Sequence, residues 1–215
     1  MLSTLRSLIV LHRTYRTLPA GARLHTLIRF LTCPFGRVVQ HVPKGARSML
    51  EIGAGHGVFS RLVADRGLSR VVAVEPDLRK VLIAAPHVDG VSFVAGFDDV
   101  VGGTFDCVAI IDVLYAIPLE EWDALLERAA RRLPSGGTLL VKEQDPEARL
   151  KNSWNRTQEW ISQKVLRLTL ARAFSYESAA RFTQRLESHG FGPVAARRVD
   201  FGYPHPPLLY VATKR

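Results

Sequence analysis

From residue 48 onward, short apolar runs alternate with stretches whose apolar residues recur every three or four positions. Runs such as Val71-Val-Ala-Val74 and Cys107-Val-Ala-Ile-Ile111 have strand length and little polar interruption, the pattern of strands buried on both faces. The expected strands are 48–52, 70–75, 91–95, 106–112 and 137–143, with helices over 57–66, 77–85 and 119–132. Such alternation predicts a parallel, doubly wound sheet. Past residue 145 it breaks. A long helix or helix pair is expected over 147–171, then a helix over 176–189 that Gly190 stops. Strands 193–200 and 207–213 close the chain around Asp200-Phe-Gly-Tyr-Pro-His-Pro-Pro207, whose prolines stiffen the loop. The expected fold class is α/β, with a mostly parallel seven-stranded sheet and an antiparallel C-terminal hairpin.

Ahead of the first strand the period changes. Leu24, Leu27, Ile28, Leu31, Phe35 and Val38 form an apolar stripe at helical spacing, with Arg23, Arg29 and Arg37 off it. Pro34 should interrupt the helix. Residues 1–46 are therefore expected to form a helical lid whose stripe packs across the mouth of a site in a domain spanning 47–215. Residues 1–47 hold eight of the chain's 29 Lys and Arg and no Asp or Glu, nearly all of its net charge of +9. Such composition also occurs in transit peptides, but the ordered stripe argues for a folded element. Leu2, Leu5, Leu8, Ile9 and Leu11, beside Arg6, Arg13 and Arg16, also suit contact with an anionic membrane surface. The rest of the chain is nearly neutral, so the basic balance is no argument for nucleic acid.

With 215 residues, 47% of them apolar, the chain can build one full core. Cys33 and Cys107 have no metal spacing, so no metal site is expected. They suit reduced thiols in a cytoplasmic protein, peripheral at most to the inner membrane face. No apolar run approaches the ~18 residues of a membrane span. The oligomeric state is left open.

The chemistry concentrates where the first strand ends. Glu51-Ile-Gly-Ala-Gly-His-Gly57 places three glycines at alternate positions between a strand and a helix, so backbone can turn sharply and approach a ligand closely. About 22 residues after Gly53 the second strand ends in Glu75, where a Rossmann-like unit binds ribose hydroxyls. A dinucleotide fingerprint would need its last Gly at 58 or 60, which hold Val58 and Ser60. The E-x-G-x-G-x-G pattern instead resembles motif I of the class I S-adenosylmethionine-dependent methyltransferases. Phe105-Asp-Cys-Val-Ala-Ile-Ile-Asp-Val-Leu-Tyr115 resembles the family's fourth strand and post-strand motif, and Leu133-Pro-Ser-Gly-Gly-Thr-Leu-Leu-Val-Lys-Glu143 its fifth. The resemblance covers roughly residues 47–145 and suggests a small-molecule-type bacterial member. It implies S-adenosylmethionine as cofactor, held by Glu51, Gly53, Ala54, Gly55, Gly57, Glu75, Pro76, Asp112 and Val113. The family's adenine-contacting acid falls in register on Phe97. Either Phe97 packs on the purine or the acid has slid to Asp98 or Asp99.

An acceptor should sit beyond the carboxyl ends of strands four and five. Tyr115, Glu143 and His205 are the candidate catalytic residues, His205 being the best base by ordinary pKa. Asp112, Gln144 and Asp145 stand nearby, and Tyr203 shares the His205 loop. The insertion from Trp154, Gln158 and Trp160 to Phe174 and Tyr176 sits where this family grafts lids. With the apolar N-terminal helices it points to a small lipophilic acceptor: a lipid, phenolic, quinone-like or polyketide compound. The rival is RNA, since Asp112 and Lys142 match two members of the Lys-Asp-Lys-Glu tetrad of ribose 2′-O-methyltransferases. The first Lys is missing, Asp112-Val-Leu-Tyr115 is not the motif of amino-directed nucleobase enzymes, and Thr32-Cys-Pro34 lies too early for a 5-methylcytosine nucleophile. The remaining alternative is a noncatalytic cofactor-binding module.

Overall fold

The computed structural model describes residues 4–145, 175–199 and 207–215. The expected insertion over 147–171, with Trp154, Gln158, Trp160 and Phe174, and the loop carrying Tyr203 and His205 lie outside the described residues.

Seven strands form one sheet: β1 (Ser48–Ile52), β2 (Arg70–Val74), β3 (Ser92–Val94), β4 (Cys107–Ile111), β5 (Thr138–Gln144), β6 (Phe191–Arg198) and β7 (Pro207–Lys214). Their order is β3-β2-β1-β4-β5-β7-β6. All neighbours are parallel except β7, which runs antiparallel to both β5 and β6. The order reverses at β1, where β2 and β4 flank it, and that switch point opens a crevice beyond the strand ends. Period-2 alternation then builds two cores. Met49, Cys107, Ala109, Ile111 and Leu140 face one side, whereas Leu50, Ile52, Val108, Ile110, Leu139 and Val141 face the other.

The second core is closed by α6 (Trp122–Arg131) and α7 (Ala179–Ser188), through Trp122, Leu126, Phe182 and Leu186. A short 3-10 turn, Leu119–Glu121, opens the helix expected over 119–132. The first core is closed by α4 (Val58–Ala64), α5 (Leu78–Ala84) and the N-terminal helices α1 (Thr4–Tyr15), α2 (Ala20–Thr32) and α3 (Phe35–Val38). Val10, Leu11, Tyr15, Leu18 and Phe30 belong to the same cluster as Phe59 and Leu62, so the N-terminal helices share the domain's core. Pro34 does separate α2 from α3. The last hairpin starts earlier than expected. Gly190, at φ 81°, ends α7, and buried Phe191 pairs at once with Lys214.

One expectation is reversed. The stripe of Leu24, Leu27, Ile28 and Leu31 is exposed, and α2 buries the opposite face, Ala22, Thr26 and Phe30. Small Ala22 and Thr26 let the helix approach the body closely, and Arg29 on the inward side finds an acid there.

Candidate active site

The glycine turn is fixed from both sides. The N–H groups of Gly53 and Ala54 donate to the Val74 carbonyl at 2.8 and 3.0 Å, lashing the turn to the end of β2. Gly53, Gly55 and Gly57 all have φ between 59° and 74°, the left-handed region. A Cβ on Gly53 would enter Val113, and one on Gly57 the Phe93 ring, whereas one on Gly55 would meet open space. The outer glycines serve packing and the middle one keeps a space clear. Beside it Glu75 accepts from Gly55 N–H at 2.7 Å and from Asp77 N–H at 3.0 Å. Glu51 accepts from the backbone N–H of Ser60 at 2.9 Å and from the Ser60 hydroxyl, satisfying the first turn of α4. Burial pushes its carboxyl up to about 7, against the pull of the two Ser60 hydrogen bonds.

At the end of β4 the backbone of Asp112 takes φ 56°, uncommon for a non-glycine residue. Its carboxylate meets the Lys142 ammonium, the Arg29 guanidinium at 3.3 Å and the Cys33 thiol, which donates at 3.4 Å. Burial alone would raise Asp112, but Lys142 and Arg29 outweigh it and hold the carboxyl below its ordinary value. Burial opposes charge on Lys142 as well, and Asp112 more than compensates, keeping it protonated. Burial and the Asp112 charge push the Cys33 thiol up to about 12 and the Tyr115 hydroxyl up to about 12. Beneath this cluster Glu143 accepts from Val113 and Leu114 N–H at 3.1 and 2.9 Å, clamping the turn after β4. Burial, then Asp112, raises its carboxyl to about 8.

Helix α2 roofs the crevice. His25 and His56 meet edge to face with ring centroids 5.2 Å apart, and the Nδ1 of each is buried without a hydrogen-bond partner among the described residues. Burial lowers both to about 4, helped by Arg29 at His25 and by His25 at His56. Tyr15 of α1 donates to the His56 carbonyl at 2.8 Å, tying the N-terminal helices to the glycine turn.

One cavity gathers Glu51, Gly53, Ala54, Gly55, Glu75, Pro76, Asp112, Val113 and Tyr115, nine of the residues singled out from the sequence. Gly57 stands behind the wall as the N-cap of α4. Phe97 and Asp98 are not in that wall. The Phe97 ring lies under the Arg128 and Arg132 guanidiniums at 5.0 and 5.4 Å, and exposed Asp98 pairs with Arg128 at 3.2 Å. Glu143 also misses the cavity: it faces Trp122, Gln144 and Tyr176 on the other side of the sheet. Conversely, His25, Thr26, Arg29, Phe35, His56 and Lys80 line the cavity and were not selected from the sequence. The polar positions opposite the leucine stripe were the available signal for three of them.

A family profile described as "Methyltransferase domain" matches residues 23–196. The chain belongs to this methyltransferase family. Its cofactor is S-adenosylmethionine, and the noncatalytic alternative falls away. No curated protein matches the chain. Among solved structures, the fold of this methyltransferase is similar to a chain in the complex of the Haloferax volcanii Trm112 methyltransferase activator with a methyltransferase. That match has 19% identity and a TM-score of 0.69, covering 90% of this chain and 94% of that one. An Archaeoglobus fulgidus SAM-dependent methyltransferase matches at 13% identity and TM-score 0.65, over 96% and 99% of the two chains. Human N-acetylserotonin methyltransferase, solved with SAM, matches at 16% and 0.67, over 95% of this chain and 59% of that one. The methyltransferase has no described helix long and apolar enough to cross a membrane.

The cavity fits the cofactor on its own terms. It offers a buried carboxylate at the end of β2, a carboxyl at Glu51 that a neighbouring cation would ionise, and an uncluttered approach to Gly55.

Proposed function

We propose that this methyltransferase acts on a small, largely apolar acceptor such as a lipid, phenolic, quinone-like or polyketide compound, the chemistry of a small-molecule-type bacterial enzyme. The observation that carries the reading is the roof. Helix α2 comes down until Arg29 reaches Asp112, and beside its charged groups the cavity below presents Thr26, Phe35, Tyr115, Ala116 and Ile117. A polynucleotide needs cations aimed at its phosphates along an open path. Here the cations in and beside the cavity are taken up by its own acids, Arg29 and Lys142 by Asp112 and Lys80 by Glu75. Lys142, paired with Asp112 and held above its ordinary pKa by that carboxylate, is poorly suited to be the base that ribose methylation would ask of it.

When bound, S-adenosylmethionine supplies an electrophilic methyl carbon on a sulfonium. In this reading Glu75 accepts hydrogen bonds from the ribose hydroxyls and Pro76 lies alongside, while Glu51 and the Gly53–Gly57 turn hold the amino-acid end. Val113 and Asp112 form the floor, Tyr115 positions the acceptor, and Glu143 acts through the turn it clamps. Phe97 and Asp98 would serve the adenine only from outside the present wall. His205 stays the proposed base where the acceptor must lose a proton. Aligning the acceptor and excluding water would contribute most of the acceleration. Peripheral contact of the N-terminal helices with an anionic membrane, on the cytoplasmic side, belongs to the same proposal.

Methyl-labelled cofactor incubated with the protein and, separately, an apolar cell extract and total RNA tests the acceptor class. Label is expected in the extract alone, and label in RNA alone would overturn the reading. The variant Gly55→Leu should lose measurable cofactor binding in calorimetry, because its side chain would fill the space that Gly55 leaves clear.

A further inference from the structure

The outward stripe of α2 has no role in the site. Leu24 and Leu31 are 59% exposed, Leu27 49% and Ile28 45%, and Leu8 and Ile9 of α1 continue the surface. Between the helices runs a groove of about 550 Å³, walled by Leu8, Leu11, Leu24 and Leu27 and edged by Arg16 and Arg23. Leu8 of α1 meets Leu24 and Leu27 of α2 across this groove, and Ile28 and Leu31 lengthen the exposed apolar face of α2, a surface of the kind that marks an interaction site.

Charge chooses the partner. Residues 1–47 contain no acid. Arg6 is taken up by Asp65 and Arg29 by Asp112, but exposed Arg13, Arg16 and Arg23 have no ion pair among the described residues. A second copy docked here face to face would set these arginines against their own kind. RNA would use the arginines and leave four leucines and isoleucines of α2 without a function.

We propose that the outer face of the α1–α2 pair docks on an anionic phospholipid bilayer. Leu24, Leu27, Ile28 and Leu31 enter the boundary between headgroups and acyl chains, and Arg13, Arg16 and Arg23 meet the lipid phosphates. The surface deepens the apolar-acceptor reading and rests on it for its purpose. Thr26 lines both the groove and the cofactor cavity, so one helix separates the bilayer-facing groove from the methyl-transfer site. An acceptor dissolved in the membrane would have a short path to the chemistry.

Cosedimentation of the full chain with vesicles of phosphatidylcholine, alone or mixed equally with phosphatidylglycerol, tests docking without methyl transfer. The anionic vesicles should retain the protein at low salt and release it as salt rises. The Leu27→Asp/Leu31→Asp variant should lose retention by about tenfold or more. Arg16→Gln/Arg23→Gln should lose about 30-fold at low salt, since each arginine near the surface is worth about a factor of five. Both pairs are exposed, so calorimetry with S-adenosylhomocysteine should give unchanged affinity and confirm the fold; if the leucine variant unfolds, the arginine variant decides. Retention that ignores phosphatidylglycerol, no retention at low salt, or variants retained like the parent would overturn the proposal. So would a concentration-dependent dimer, or capture of RNA in place of vesicles, abolished by the same substitutions. An acceptor that proves polar while docking persists would overturn the acceptor reading alone.

Discussion

The glycine turn and helix α2 face each other across the same cavity, and they obey their sequences differently. At the turn each residue has one arrangement open to it. Gly53 and Gly57 sit against Val113 and Phe93, Glu51 must satisfy the start of α4, and β1 is held between two parallel neighbours. On α2 the leucine stripe fixes that one face is apolar and leaves open what that face meets. The helix instead lays Ala22, Thr26 and Phe30 on the core and sends Arg29 to Asp112, so a polar contact and two small residues orient it. A hydrophobic stripe names a surface. Its partner is set by chemistry elsewhere in the chain.

The largest effect should come from removing residues 1–18. A detachable lid would leave the domain folded with its cofactor affinity intact. Val10, Leu11, Tyr15 and Leu18 are buried in the common core, however, and Tyr15 holds the His56 carbonyl. At about 1.5 kcal/mol or more per side chain the deletion removes roughly 6 kcal/mol, comparable with a whole domain's stability. Thermal unfolding should show loss of the cooperative transition. A deletion variant that melts like the parent would restore the lid as an independent unit.

Next stands Asp112→Ala, at the joint between the two regions. It strands Lys142 and Arg29 without their shared carboxylate. Breaking such a buried pair costs about 3–5 kcal/mol. Urea titration should show that loss, while Asp112→Asn, which keeps the volume and an accepting oxygen, should recover part of it. A loss below about 1 kcal/mol would mean that the cluster does not orient α2.

Glu51 gives a pH signature to the turn alone. Its carboxyl titrates near 7, raised by burial, and a cationic ligand beside it favours the ionised form. Affinity for S-adenosylmethionine should therefore rise with pH and level off above about pH 8. Between about pH 6 and pH 8 the gain is about tenfold for a group with this pKa. Glu51→Gln should flatten the profile. A flat profile in the parent would place the cation away from Glu51.

Much of this was legible from the sequence because the sheet is buried on both sides. Continuous apolar runs and glycine stops located the strands, and the acids at the ends of β1, β2 and β4 fell into one cavity. Glu143 and the buried face of α2 depart from expectation for one reason: a side chain's direction follows its phase along the element and not its neighbourhood in sequence. Along β5, Leu139, Val141 and Glu143 alternate with Leu140 and Lys142, so Lys142 turns to Asp112 and Glu143 to the Trp122 side. The same alternation was available in the sequence. Phe97 is different. It follows the last strand residue of β3 by three positions, in a loop without a fixed period, and its ring lies with Arg128 of α6 and Arg132 just beyond that helix.

The smallest expected effect sharpens the comparison most, because it separates the two faces of α2. Phe30→Ala empties a buried position of the common core and should cost about 3–5 kcal/mol. Leu31→Ala, one residue later, removes a side chain that is mostly in water. Alanine is also the better helix former, by a few tenths of a kcal/mol. The two contributions nearly cancel, so Leu31→Ala should change stability by less than about 0.5 kcal/mol in the absence of vesicles. Both variants can be compared in one urea series, with equal slopes confirming that the unfolding transition is the same. If Leu31→Ala instead costs more than about 2 kcal/mol, the stripe is covered in solution. The exposure on which lipid docking rests would then be absent, and α2 would be held by its leucines after all.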